Sequence, residues 1–405
     1  MSHSARHLFL ALPIILSVGL HQAWAGVDFP ACLDRLAQEA SDAGISDSTI
    51  RTATADVSRN ARVIELDRQQ PEFLQTFGRY LETRLTTQRV RRGRELLDEH
   101  DALLQQVQNE FGIPATYLVA FWGLETNFGG YFGDFRVLDS LATLACDRRR
   151  SAFFSEQFVE ALRLIDRDRM RPEQMRGSWA GAMGHTQFLP STARMHGIDY
   201  DGDGRIDLWN SLPDAMASAA NYLRAMGWNS GQRWGREVRL SDDLPLPESG
   251  IDIRKSLAEW AELGVRRADG GPLPDADIRA ALLLPSGYHG PAFLVYPNFH
   301  IIMRWNPSTA YALSVGLLAD QIGGGDGLLR QPPAEDPMSR DEVRELQSRL
   351  NNLGHDSGTP DGIAGRMTRN AVRAYQQQAG IPADGHPNRV LLEQLRKQAP
   401  DRNSS

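Results

Sequence analysis

The stretch from Gly323-Gly324-Gly325 through Pro332-Pro333 to Pro337 constrains this chain more than any other, because clustered glycines followed by spaced prolines suit neither a helix interior nor a sheet. A flexible start with a stiffer end is a linker. The sequence therefore divides into a large N-terminal body and a module of about 60 residues, small but within the range that folds alone. With 405 residues, 41% hydrophobic and 23% charged, the larger part can bury a sizeable core.

The first residues follow a secretory pattern: Arg6 and His7, an apolar run from Leu8 to Leu20, then Ala23-Trp24-Ala25 with small residues at a cleavage point. Cleavage near Ala25 would start the mature chain near Gly26. A retained membrane anchor is the competing reading, but the run is short against the roughly 20 apolar residues a span requires. Cys32 follows Phe29-Pro30-Ala31, the wrong context for a lipid-modified start.

Cys32 and Cys146 are the only cysteines, which excludes a CxxC redox pair and a thiolate zinc cluster. They could form a disulfide tying the N-terminal helix to the main body, or remain two buried thiols. A net charge of −7 offers nothing to nucleic acid. Lysine is confined to Lys255 and Lys397, leaving little room for Schiff-base or phosphate-loop chemistry.

Helical periodicity dominates from about Phe29 to Met226. One helix should carry Leu96, Leu97, Leu103, Leu104 and Val107; a second should start at Pro114, carry Phe121, Trp122 and Glu125, and end at Gly129-Gly130. The text is loop-like between Ser241 and Ala276, and short apolar runs at Ala280–Leu284, Ala292–Tyr296 and His300–Trp305 read as strands of a small sheet. A last core helix is expected from about Ser308 to Ile322.

Glu125 stands in Gly123-Leu124-Glu125-Thr126-Asn127-Phe128-Gly129, within an apolar helix. A carboxylate desolvated there holds its proton to higher pH, which suits a general acid working near neutrality; a structural Glu paired with an Arg is the plainer alternative. The run Gly177-Ser178-Trp179-Ala180-Gly181-Ala182-Met183-Gly184-His185-Thr186-Gln187-Phe188-Leu189-Pro190-Ser191 is dense in small residues, suited to close approach of backbone to a ligand or to a tight helix contact. Asp199, Asp201, Asp203, the Arg205 carbonyl and Asp207, with Gly204 at position six, follow the calcium-loop pattern, except that Asn210 replaces the closing Glu. A solvated Asx-turn loop would use the same residues.

These motifs, in order, resemble the B-type lytic transglycosylases, peptidoglycan-cleaving relatives of goose-type lysozyme. The resemblance rests on GxxExxxG around Glu125, the GAMGxxQFxPS run, Asp207-Leu208-Trp209, Asp214-Ala215 to Asn221-Tyr222-Leu223, Gly227-Trp228, and Trp305-Asn306-Pro307-Ser308 with Tyr311-Ala312. It implies a mainly α fold, a lysozyme-like catalytic core with extra helices and a small β subdomain. Glu125 matches the family's catalytic acid/base, while Tyr80, Ser178, Gln187, Phe188, Tyr222, Asn306 and Tyr311 match residues of the sugar-binding groove. Trp305 stands where relatives often have Tyr. Asn306, followed by Pro307, would also serve as a helix N-cap. Asp214 fits the carboxylate that closes the family's metal loop, which would hold a structural calcium or sodium ion. No organic cofactor is implied.

The C-terminal part, with Val343 to Leu350, Asp361-Gly362, Thr368 to Gln376, Asp384-Gly385 and Leu391 to Leu395, is similar to the three-helix peptidoglycan-binding domain. The expected partition is a signal peptide over 1–25, a catalytic domain over 26–322, a linker over 323–337 and a peptidoglycan-binding domain over 338–400, in a periplasmic protein. Its partners would be peptidoglycan glycan strands, with cell-wall synthases as natural company, and neither nucleic acid nor a membrane anchor. Glycosidases normally use two carboxylates, whereas these motifs supply one. That points to an intramolecular nucleophile and 1,6-anhydromuramyl products; a hydrolytic muramidase and a non-catalytic wall-binding scaffold are the alternatives.

Overall fold

Two helices with apolar residues on every face organise this computed structural model, which describes residues 28–69, 75–168, 170–241, 244 and 246–398. Ala115–Thr126 buries Leu118, Val119, Ala120 and Phe121 in succession. Four consecutive side chains point around the whole circumference, so such a helix is stable only when surrounded. Thr309–Ile322 likewise buries every residue from Tyr311 to Ala319, and the two pack against each other. Amphipathic helices Thr87–Glu99, Asp101–Phe111 and Leu212–Ala225 enclose them. Asn127, with φ 50°, ends the Glu125 helix, two residues before the expected glycines, because its short polar side chain tolerates the left-handed conformation.

A second hydrophobic cluster forms between Val137–Ala145, Ser151–Asp168 and the N-terminal helices Phe29–Asp42, Asp47–Thr54 and Ala61–Gln69, with Leu36, Leu141, Phe154 and Phe158 at its centre. Cys32 and Cys146 are joined by a disulfide across 114 residues, so the first helix is stapled to the end of Val137–Ala145. Tyr222 and Trp305 pack against both clusters. The seam they span is where the candidate site forms.

A five-stranded antiparallel sheet lies in the order Arg254–Ser256, Arg279–Leu283, Ala292–Val295, Gly235–Arg239, Arg266–Arg267. Two of the three expected strands are thus present. The third run, His300–Trp305, belongs instead to helix Pro297–Trp305: Pro297 fixes a helical φ at its first turn, and Asn298, Phe299, Ile301 and Ile302 are buried at helical spacing. The loop-like region also contains a strand, Arg254–Ser256, and a short helix, Leu257–Glu262, closed by a capping box between Ser256 and Glu259.

Arg340–Asn352, Arg366–Gln378 and Arg389–Gln398 form a three-helix module around Leu346, Leu350, Val372, Tyr375 and Leu395. The segment before it is held against the body, since the Glu237 carboxylate accepts the Leu329 and Arg330 amides, both at 2.8 Å. Among the described residues no helix is long and apolar enough to cross a membrane. The expected signal peptide lies outside the described residues.

Closing a loop of this length by a disulfide restricts the unfolded chain, worth about 2–4 kcal/mol after losses to native strain. Cys32→Ser should lower the denaturant midpoint accordingly, and an unchanged midpoint would show that the bridge does not hold the first helix in place.

Candidate active site

Glu125 sits in the last turn of Ala115–Thr126, where the helix face meets the seam between the two cores. The residue is partly exposed but its carboxyl lies deep in the protein, and burial pushes its pKa up to about 7. Opposing that rise are hydrogen bonds from Tyr311 and Trp305 and the field of Arg84. The Tyr311 hydroxyl donates to Oε1, and the same burial and the adjacent carboxylate keep that phenol protonated far above its ordinary range. Tyr80 lies close enough to raise it further.

Four other buried carboxylates among the described residues have arginine partners, whereas Asp214 and Asp384 accept backbone amides. Asp67 pairs with Arg149 and Arg150, Glu160 with Arg194, Asp168 with Arg167, and Asp139 with Arg136 and Ser58. Glu125 is held by two neutral donors, and among the described residues the charge that acts on its proton is the cation Arg84. Neutral donors can serve either protonation state, which an arginine fork cannot.

Aromatic packing fixes the donors. Trp305 stacks on Phe121, with ring centroids 4.3 Å apart and planes at 28°, and contacts Phe188 at 5.0 Å and Tyr222 at 5.3 Å. Phe188 is itself buried, and the Tyr222 hydroxyl donates to the Arg304 carbonyl at 3.0 Å. Gly123 leaves the space that Phe128 fills, since a Cβ there would stand 2.7 Å from the Phe128 ring. Phe128 at φ 61° is a left-handed, non-glycine residue, a costly conformation that the surrounding packing maintains.

Ser178 and Gln187 shape the facing loop. Ser178 Oγ accepts the Ala180 and Ala182 amides at 3.3 and 3.1 Å, and Gln187 Nε2 donates to the Phe132 and Gly184 carbonyls at 3.1 and 3.0 Å. Gln187 is also left-handed, at φ 48°. Asn306 does not cap the following helix: Ser308 does, accepting the Tyr311 amide, while Asn306 Oδ1 accepts the Ser308 amide at 3.1 Å and sets the turn before it. Tyr311 and Trp305 thus hold Glu125 directly, Tyr80 borders Tyr311, Phe188 and Tyr222 pack on Trp305, and Ser178, Gln187 and Asn306 shape their own turns.

Two contributors escaped the sequence reading. Trp122 Nε1 donates to His185 Nδ1 at 2.8 Å, and Thr126 Oγ1 donates to the His185 carbonyl at 3.2 Å, so the Glu125 helix is clamped to the Gln187 loop. Burial lowers the His185 pKa to about 4, leaving the ring neutral as this bond requires. Arg84 is the other, a cation whose guanidinium lies 5.3 Å from the centre of the Tyr80 ring. His185 stood within a recognised run, but nothing local to it names a partner 63 positions away.

In the acidic loop, carboxylate oxygens of Asp199, Asp201 and Asp203 lie within 4.8 Å of one another, all on exposed residues. Asp214 stands outside that cluster. It is fully buried, and its oxygens accept the Tyr200, Asp201 and Asp207 amides at 2.8, 3.4 and 2.9 Å, so here it closes the loop through backbone bonds. Asp207 likewise turns to the Trp209 and Asn210 amides. The Arg205 amide donates to Asp203 at 2.9 Å. The loop backs the groove, since His185 N donates to the Leu208 carbonyl at 2.9 Å.

The Transglycosylase SLT domain family matches residues 28–320, and a peptidoglycan binding domain family matches residues 339–395. Membrane-bound lytic murein transglycosylase B of Escherichia coli (strain K12) is 33% identical over 246 residues, 60% of this chain and 66% of that protein. The crystal structure of SltB3 from Pseudomonas aeruginosa in complex with NAG-anhNAM-pentapeptide superimposes with a TM-score of 0.88 at 46% identity, covering 91% of this chain and 99% of that one. Escherichia coli Slt35 in complex with calcium gives 0.63 at 30% identity, covering 74% and 95%.

A carboxyl whose pKa is raised by folding favours the native state while protonated, and that advantage is lost as pH climbs from the unfolded value near 4.5 through about 7. Glu125→Gln removes the cost of ionisation. The variant should melt at the same temperature as wild type at pH 4 but be more stable at pH 8, by up to about 3 kcal/mol; parallel curves across that window would show that Glu125 ionises freely.

Proposed function

The chain belongs to the Transglycosylase SLT domain family, with a peptidoglycan-binding module behind the enzyme, and on that premise we propose that it is a peptidoglycan lytic transglycosylase acting through Glu125 alone. The reading is supported chiefly by one observation: a buried carboxyl with its pKa raised to about 7, held by the neutral donors Tyr311 and Trp305. Two-carboxylate glycosidases set their pair about 5–9.5 Å apart to supply a nucleophile or activate water. Here the substrate supplies the nucleophile.

In this mechanism the Glu125 carboxyl protonates the oxygen linking N-acetylmuramic acid to N-acetylglucosamine, and the muramic 2-acetamido group stabilises the positive charge at C1. Glu125, now ionised, takes the proton from the C6 hydroxyl of the same sugar as that oxygen closes on C1. The groups return to their starting states and no water is consumed. An intramolecular nucleophile has a high effective concentration, so excluding water from the groove suffices to favour closure over hydrolysis. Tyr80, Phe188, Tyr222 and Trp305 form the aromatic walls that would position the sugar rings and exclude water.

Glu125→Gln should lower wall-clearing activity by about a thousandfold or more, the scale expected when a reaction's only proton donor is removed. Mass spectrometry of wild-type digests should find products one water lighter than hydrolysed fragments. Predominantly reducing ends would instead establish a hydrolytic muramidase, and full activity of the variant would leave a wall-binding scaffold.

The acidic loop suits a hard cation, because Asp199, Asp201 and Asp203 converge and Gly204, at φ 86°, permits the sharp turn at position six. Those carboxylates and the Arg205 carbonyl would hold calcium, whose contribution is structural: it neutralises three clustered anions. Asp214 would organise the loop from beneath. Calcium should raise the melting temperature of wild type and not of Asp201→Asn; equal shifts in the two proteins would place the ion elsewhere.

The division into a catalytic domain over 26–322, a linker over 323–337 and a binding module over 338–400 is part of the same proposal, as is export to the periplasm after cleavage near Ala25.

A further inference from the structure

Tyr131 is 58% exposed, more than any other phenylalanine, tyrosine or tryptophan among the described residues, yet it is tied down at both ends. Its hydroxyl donates to Asp134 Oδ2 and its amide to the Thr126 carbonyl, both at 3.0 Å. A single apolar side chain on a surface needs no explanation. Holding one still does, because fixing its rotamer costs entropy that so little burial cannot return.

The segment carrying Tyr131 is fixed on either side of it. Asn127, Phe128 and Gly129, at φ 50°, 61° and 77°, are consecutive left-handed residues that turn the chain sharply after the Glu125 helix, and such a turn persists where the surrounding structure maintains it. Gly133 follows at φ 103°, where a Cβ would collide with the Gly177 carbonyl oxygen, so only glycine fits. Phe135 and Arg136 then pair with Gly177 and Arg176 in a two-stranded antiparallel ladder. Between these fixed points the Phe132 carbonyl accepts Gln187 Nε2 at 3.1 Å, and the Phe132 ring meets His185 edge-on at 4.8 Å. Arg176 Nη1 donates to the Asp134 carbonyl at 2.9 Å. Residues 127–134 therefore continue the wall that Ser178 and Gln187 form, with Tyr131 as its exposed point.

An exposed aromatic ring held beside a carboxylate suits a pyranose. The ring takes the apolar C–H face of the sugar, while the Asp134 carboxylate, itself exposed, accepts hydroxyl groups. Because the ring is already positioned, little freedom is lost on binding. We propose that Tyr131 and Asp134 form an outlying saccharide subsite, which takes a sugar of the glycan strand beyond the pair that flanks the cleaved bond. The inference rests on the peptidoglycan reading above and deepens it, since an enzyme with such a subsite favours long strands over short ones. The subsite serves binding, and proton transfer remains with Glu125.

Calorimetry on the full mature chain carrying Glu125→Gln, which leaves bound strands intact, tests this with peptide-free tetrasaccharide and octasaccharide of alternating N-acetylglucosamine and N-acetylmuramic acid. The octasaccharide should bind at least about fivefold more tightly, the scale of one aromatic contact. Adding Tyr131→Ala should cut that preference at least about threefold and leave tetrasaccharide affinity unchanged, whereas Tyr131→Phe, which keeps the ring, should retain most of it. Because Tyr131 is exposed, neither replacement removes core packing. No preference to begin with, an undiminished preference in Tyr131→Ala, or an equal loss of affinity for both ligands would each overturn the proposal. A length preference that depends on Tyr131, in a protein whose wild-type form cleaves no glycan, would sink the transglycosylase reading and keep the subsite; glycan cleavage without such a preference would do the reverse.

Discussion

Everything in the candidate site depends on the desolvation of one carboxyl group. Glu125 reaches a pKa of about 7 because the two all-round apolar helices leave it little water, while Tyr311 and Trp305 limit the rise without supplying a countercharge. An arginine in their place would fix the carboxylate as an anion and end its use as an acid. Arg84 contributes only its field, the smallest of the influences on Glu125. The chemistry and the fold have the same origin: helices too apolar to be exposed make a site too dry to ionise easily.

The surrounding groove follows from how two cores meet. Trp305 and Tyr222 pack against both, so their rings cannot move without disturbing either. Across from them, the Ser178–Gln187 loop is shaped by its own side chains and bolted to the Glu125 helix through Trp122 and His185. The acidic loop stands behind that bolt, with the Leu208 carbonyl on the His185 amide. An ion there would act on catalysis through rigidity, since none of its candidate ligands touches Glu125.

Much of this was legible in the sequence. The Glu125 helix, the last core helix and the three-helix module follow from periodicity and turn residues, because their stability is set by local pattern and burial together. The mainly helical, lysozyme-like fold expected from the ordered motifs is the fold observed. What the chain concealed was non-local. His300–Trp305 has the β-branched, aromatic content of a strand, and only its packing makes it helical. Asp214, read as an ion ligand by its position, also accepts amides of the loop above it, and position does not encode those contacts. The Cys32–Cys146 bridge, left open between two readings, depends on a sulfur geometry that spacing does not encode.

The contact between Glu237 and the Leu329 and Arg330 amides changes what the glycine and proline segment does. A loose leash would let the wall-binding module roam a broad sphere around the groove. Pinned at this point, it becomes a fixed arm, and the stand-off between anchorage and cutting point becomes a constant of the molecule. Such an enzyme would work like a caliper, most effective where the polymer lattice presents its strands at the span the arm dictates.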